Sequence, residues 1–412
     1  MEAILKGLRV VEGSAFVAAP LGGMTLAQMG ADVIRFDPIG GGLDYRRWPI
    51  TEQGNSLFWA GMNKGKRSFQ VDIGAPEGRE LIMELVKGDG GLNTGIFLTN
   101  FPERGWLAYD KLREVRDDLI YVNILGDRKG GSALDYTVNC AVGFASATGS
   151  PTTDEPTNYL LPAWDNITGQ MSAVALLAAD RHRRISGEGQ LVKLALKDVA
   201  VATAGNLGNI AEVTINDEDR QKAGNYLYGA FGRDFLSKDG VRVMIVGLTP
   251  RQWSGIVKAM GITDQISTLA EELGADLKQE GERFKNRERI AELVEPWFAN
   301  NEYATICDLF DENAVCYGPY RSFREMVEQD DDCSLDNPMM SMIHQPGIGQ
   351  YLASGSPLRF TANKNVPAMP APVLGQHTEE ILKEDLGLGD TEVGQLVSDG
   401  IVSFGARNLS NT

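Results

Sequence analysis

Apolar residues in the first half of the chain fall into short solid runs, separated by longer segments with helical spacing. Leu8 to Glu12 (LRVVE) predicts a buried strand, and a loop from Gly13 to Ala19 follows it. Pro20 to Gly30 predicts a helix, because proline suits a first helical turn and glycine a helix stop. Ala31 to Asp37 (ADVIRFD) is the next predicted strand. Strand, short helix and strand make a βαβ unit, which implies parallel pairing. The alternation continues with strand Arg67 to Ile73, helix Pro76 to Lys87, strand Gly95 to Thr99, helix Tyr109 to Val115 and strand Leu119 to Leu125. Helix Ile167 to Arg184, strand Gln190 to Leu196 and helix Ala200 to Ala211 extend it. The pattern predicts an α/β fold with a doubly wound sheet.

Near residue 213 the pattern changes. Asn216 to Lys222 (NDEDRQK) is charged and poor in apolar residues, so 213–224 reads as a linker after a large domain over 1–212. Two strands follow, Gly229 to Ser237 and Val241 to Val246, around the turn Lys238-Asp239-Gly240. Helices are predicted at Pro250 to Met260, at Arg287 to Glu295 with Pro296 as the stop, and at Tyr303 to Asn313. These elements predict a smaller α+β domain over 225–325. Residues 331–376 are rich in Pro and Gly and read as irregular, and Thr378 to Leu386 reads as a last helix.

Composition narrows the functional classes. At roughly 150 residues per domain, 412 residues suggest two or three domains. The chain carries 39 basic and 56 acidic residues, a formal charge of −17. Such a chain repels nucleic acid and anionic membrane, so neither is an expected partner. An anionic ligand would need a local basic island. Arg46, Arg47, Lys64, Lys66 and Arg67, set against Asp44 and Glu52, could form one, or could be a solvated loop. Cys140, Cys307, Cys316 and Cys333 make no C-x-x-C pair and match no usual zinc spacing, so reduced thiols and no metal are expected. Met1 to Val10 lacks the apolar core of a signal peptide, and no apolar run nears the ~20 residues that span a bilayer. The expected location is cytoplasmic.

Most catalytic motifs are missing. The loop from Gly13 to Pro20 has no G-x-G-x-x-G, so a dinucleotide site is not expected, although Asp37 ends the second strand where a ribose-binding acid would sit. Gly40-Gly41-Gly42 follows the second strand instead of the first and reads as a flexible loop. His182, His344 and His377 have neither metal nor triad spacing, and no G-x-S-x-G or H-E-x-x-H occurs. Asp165 stands just ahead of a predicted helix. There it could cap the helix by accepting a backbone N–H. The helix dipole could equally keep it ionised as a nucleophile.

Several segments together resemble the family III CoA-transferases, of the formyl-CoA transferase and carnitine CoA-transferase type. They are the opening LKGLRVVE with Ala18 and Pro20, LAQMGADVIRFD, NKGKRSFQVD from Asn63 to Asp72, Asn100-Phe101, Asp165 before an Ala/Leu helix, SGEGQLVKLALKD and APVLGQHTEEIL. The resemblance runs over essentially the whole chain. It implies a Rossmann-like large domain built from both chain ends, so 326–412 would return to it, and two subunits interlocked as a homodimer. It implies that Asp165 attacks an acyl-CoA and passes through a mixed anhydride and an aspartyl-CoA thioester. CoA then enters as part of the substrate, and no cofactor is permanently bound. Phe16, Val17 and Ala18 match the loop that lies along CoA in the family. Val71, Asn100, Phe101 and Arg104 match CoA-binding positions. An arginine common after the second strand is replaced by Pro38, so phosphate binding would pass to Arg46, Arg47 or Lys64, with Arg47 taken as the contact.

The segments EGSAFVAAPLGGMTLAQMGADVIRFDPIGGGLDY and GNYLYGAFGRDF are similar to the branch that moves CoA between the two carboxyl groups of one mesaconate. Transfer to a separate diacid is the alternative, and a non-catalytic acyl-CoA-binding module is a more distant one. The racemases of the family use a histidine in the stretch matching Gly126 to Asn139 (GDRKGGSALDYTVN), which here has none. Tyr226 and Tyr228, in the loop from Gly224 to Gly229, could narrow the site against other acids.

Overall fold

The computed structural model describes residues 2–405. In chain order its first elements are β1 (Arg9–Gly13), α1 (Ala18–Gln28), β2 (Asp32–Asp37), α2 (Leu57–Met62), β3 (Arg67–Gln70) and α3 (Pro76–Lys87). Next come β4 (Ile96–Thr99), α4 (Tyr109–Val115), β5 (Ile120–Leu125), α5 (Asp135–Ala141) and α6 (Phe144–Ala147). The long helix α7 (Ala163–Ser186), β6 (Gln190–Ala195) and α8 (Leu196–Asn206) follow. The strands form one parallel sheet in the order β3-β2-β1-β4-β5-β6. That is the Rossmann order, and its direction reverses between β1 and β4. In such sheets ligands bind outside the carboxyl ends of the strands at the reversal, here beyond Gly13 and Thr99.

Strand residues alternate between two apolar faces, as a sheet covered on both sides requires. Val10, Val33, Leu98 and Val122 pack with Leu26 of α1 and Ala173 and Leu176 of α7. Their neighbours Val11, Ile34, Phe97 and Tyr121 pack on the other face with Ile82, Leu112 and the late residues Ile381, Leu382 and Val393. The chain end is stitched to β3: Gly375 N–H donates to Ser68 Oγ (2.9 Å) and Gln70 N–H to Thr378 Oγ1 (3.0 Å). By contact density, residues 2–142, 160–208 and 331–405 form one compact unit.

The second unit comprises 143–159 and 209–330. It holds α9 (Asn209–Asn216), β7 (Phe231–Leu236), β8 (Arg242–Gly247), α10 (Pro250–Met260), α11 (Thr263–Leu273), α12 (Glu280–Lys285), α13 (Arg287–Asn300), α14 (Tyr303–Glu312), β9 (Cys316–Pro319) and α15 (Phe323–Gln329). The antiparallel sheet β7-β8-β9 and these helices enclose Phe231, Trp253, Ile290, Phe298 and Phe310. The chain then adds β10 (Met340–Gln345), β11 (Gly349–Ser354), α16 (Thr378–Glu380) and α17 (Asp390–Ser398) to the first unit.

Some elements differ from expectation for identifiable reasons. Pro296 lies inside α13 and does not stop it, because Val294 and Phe298 on either side are fully buried and hold the helix in the core. The helix expected over Ala200 to Ala211 is two, broken at Gly208, whose φ of +84° leaves the helical region. Residues 331–376, expected to be irregular, contain the β10–β11 hairpin, with six residue pairs in register.

Helices α1 and α7 touch through glycines. A Cβ on Gly169 would stand 2.8 Å from the Ala18 carbonyl oxygen, and one on Gly22 would stand 2.1 Å from Ser172 Oγ. Gly169→Ala forces a side chain against backbone, which costs about 1–3 kcal/mol. The variant is expected to unfold at lower urea than the parent. An unchanged midpoint would mean that the helices can separate without penalty.

Candidate active site

The loop after β1 is held from three sides. Ser14 Oγ donates to Glu12 Oε1 (2.6 Å), and Arg35 Nη2 donates to the Ser14 carbonyl (3.0 Å). Asn100, just past β4, accepts the Ala15 N–H on Oδ1 (3.0 Å) and donates Nδ2 to the Ala15 carbonyl (2.8 Å). The next residue, Phe16, has φ +68°. A bulky side chain in that region carries strain of about 1–3 kcal/mol, sustained only where the surroundings fix the backbone. These side-chain bonds supply that fixation.

Beneath the loop lies a buried cluster of charge. Lys66 Nζ donates to Glu12 Oε1 (2.7 Å), to the Pro20 carbonyl (2.8 Å) and to Asn63 Oδ1 (3.0 Å). Arg35 bridges Asp37 and Asp44 and lies 4.4 Å above the Trp59 ring. Asp37 therefore does not await a ribose, since Arg35 occupies it. The basic island dissolves in the same way. Lys66 is paired with Glu12, and Arg67 with Asp32, Glu380 and Asp385. Lys64 is 7% exposed and donates to Ser354 Oγ (3.3 Å). Arg46 and Arg47 remain exposed.

Arg47 is aimed by aromatics. Its guanidinium lies 5.3 Å from the Phe16 ring centroid and 5.1 Å from that of Phe58, within cation–π range. Its charge reaches Asp165 and favours the ionised carboxylate there.

Asp165 is the third residue of α7, and Pro162 is the N-cap. It does not cap the helix, one of the two readings its sequence position allowed. Instead its own N–H is capped by Asp135 Oδ2 at 2.9 Å. Nor does the helix start keep it firmly ionised. Burial first, and then repulsion from Asp135, push its pKa up to about 7 against the pull of Arg47. Asp165 lies one turn before Gly169 on the same helical face. That face meets the Ala18 carbonyl, so Asp165 stands beside the start of α1 and its preceding loop.

Thus Asp165, Arg47, Phe16 and, through Ala15, Asn100 are drawn to the reversal crevice. Val17 and Ala18 begin α1 there and are buried. Phe101 is half-buried, edge-on to Phe36, and Arg104 is exposed on the next turn. Val71, expected as a CoA contact, is fully buried in the core, its N–H bonded to the Asp37 carbonyl, so no part of it faces a ligand. Asp135 and Phe58 were not picked out from sequence. Asp135 follows the glycine-rich stretch after β5, a carboxyl-end position in this fold, but nothing in the sequence pairs it with residue 165. In the second unit Tyr226 and Tyr228 are engaged internally. Tyr226 Oη accepts from Arg233 Nη1 (3.2 Å), and Tyr228 Oη donates to Glu212 Oε1 (2.6 Å). Among the described residues no cluster of His, Cys, Asp or Glu could hold a metal, and no helix is long and apolar enough to cross a membrane.

The raised Asp165 pKa has a signed consequence. A carboxyl whose folded pKa exceeds its unfolded value contributes stability below about pH 4, which is lost as pH rises through about 7. Asp165→Asn removes that loss. Its melting temperature is expected to exceed the parent's by more at about pH 8 than at about pH 5. A pH-independent difference would contradict the assignment.

A family model described as CoA-transferase family III matches residues 5–378. A 2-methylfumaryl-CoA isomerase from Chloroflexus aurantiacus is 60% identical over 404 residues, covering 98% of each chain. A succinyl-CoA:mesaconate CoA-transferase from Haloarcula hispanica is 30% identical, covering 94% of this chain and 98% of that one. The crystal structure of a CAIB/BAIF family protein from Brucella suis has the same fold, with TM-score 0.75 and 24% identity, over 93% of this chain and 100% of that one.

Proposed function

We infer the reaction from one premise: the chain belongs to CoA-transferase family III, a class of enzymes. Its reaction is the transfer of CoA between the two carboxyl groups of one mesaconate, from 2-methylfumaryl-CoA to 3-methylfumaryl-CoA. The 60% identity to an isomerase of that name, over nearly the whole length, carries this reading. The half-buried Asp165 carboxyl at the crevice supports it.

In the proposed sequence an Asp165 carboxylate oxygen attacks the thioester carbonyl. The C–S bond breaks, leaving a mixed anhydride and CoA thiolate. The thiolate attacks the aspartyl carbonyl, giving aspartyl-CoA and the free diacid. The diacid turns its other carboxylate onto the aspartyl thioester and expels the thiolate again. The thiolate then attacks the substrate carbonyl of the new anhydride and frees Asp165. Holding the diacid in place gives it an effective concentration no dissolved acid matches.

The loop of Phe16, Val17 and Ala18 flanks CoA, together with Phe101, Arg104 and Arg47. Asn100 serves by fixing Ala15. Exposed Met171, Val174 and Ile185 on α7 support a subunit contact. The active form is read as an interlocked cytoplasmic homodimer.

The 30% identity to a succinyl-CoA:mesaconate CoA-transferase favours a second reading, transfer to a separate diacid. Labelled free mesaconate added during turnover separates the two. Product without label is expected, and label entering at the turnover rate would establish the second reading. Asp165→Ala is expected to lower turnover by at least about 10³-fold while CoA still binds.

A further inference from the structure

Asp135 opens α5 and is almost wholly buried. Its Oδ2 accepts the N–H of Asp165, the residue read above as the nucleophile, at 2.9 Å. A first-turn N–H needs an acceptor, but Asn or Ser would serve as well. An acid at this position adds something a neutral acceptor does not, a fixed negative charge beside the reacting carboxyl.

We propose that Asp135 is a positioning residue for the transfer, whose charge raises the free carboxylate of Asp165 relative to its covalent states. This rests on the reading of Asp165 as nucleophile. In that cycle Asp165 is a carboxylate, then an anhydride, then a thioester. The first state is negative and the other two are neutral at that carbonyl. A neighbouring carboxylate repels only the first. It makes Asp165 a more basic and more nucleophilic oxygen, and it narrows the gap to the covalent intermediates. The substrate need not supply that energy by being distorted.

Two charged groups act on Asp165: Asp135 from α5, and Arg47 from the segment between β2 and α2. α1, packed against α7, carries no titratable side chain between Ala18 and Gln28. Tyr121 on β5, Tyr136 and Cys140 on α5, Lys193 on β6, and Lys197 and Asp198 on α8 do not shift it. The opposition of Asp135 and Arg47 therefore sets its ionisation beyond the effect of burial.

Asp135→Asn keeps an acceptor for the N–H and removes the charge. The pH profile of kcat/KM is expected to shift its rising limb down by about one unit. Turnover well above that limb should fall severalfold, with the melting temperature little changed. Asp135→Ser, read the same way, replaces it if the first variant does not fold. An unmoved limb in a folded variant overturns the proposal, as does a limb that moves upward. Hydroxylamine trapping in the parent enzyme separates this failure from a deeper one. A hydroxamate at Asp165 with an unmoved limb removes only the role of Asp135. No hydroxamate at Asp165 in a turning-over enzyme removes the nucleophile itself.

Discussion

Two helices meet through a glycine on each, and the position of the Asp165 carboxyl follows from that contact. Gly22 and Gly169 let α1 and α7 close to backbone distance, with the Ala18 carbonyl against the α7 surface. One turn earlier on the same face of α7 is Asp165. A methyl group at either glycine would part the helices and draw the carboxyl away from the loop after β1. The parallel sheet supplies the other half of the arrangement. Its order reverses between β1 and β4, which opens a crevice at their carboxyl ends, and Asn100 ties the two strand ends together through Ala15.

Electrostatics divides the site into a locked part and a poised part. Glu12, Lys66, Arg35, Asp37 and Asp44 are buried and paired with one another, which fixes the loop that presents Phe16. Asp165 is treated differently. It is partly desolvated, faces a like charge, and has one cation, Arg47, to favour its ionised form. A carboxyl paired as closely as Asp37 would be too stable to attack a thioester. One held near neutrality can spend time in either state at physiological pH.

The doubly wound sheet was legible because strands buried on both faces read as near-continuous apolar runs, as in IFLT and IYVNIL. The role proposed for Asp165 rests on family resemblance, since on pattern alone it could have been a cap. What stayed hidden was pairing across distance. Arg35, Lys66 and Arg67 read as free positive charge or strand residues until Asp37, Glu12 and Asp385 were found beside them. The thirty-residue separation between Asp135 and Asp165 has the same character. Helix ends also escaped. α13 runs through Pro296 because burial of Phe298 outweighs the local preference to stop.

The central claim is that Asp165 forms bonds to carbon during transfer. In the anhydride route, an oxygen of the diacid is left on Asp165 when the thiolate attacks the substrate carbonyl. Substrate with its free carboxylate labelled by heavy oxygen should therefore pass label to the enzyme, and a digest after turnover should find it in the peptide holding Asp165. Product formed at the usual rate, with that peptide unlabelled, would contradict the account.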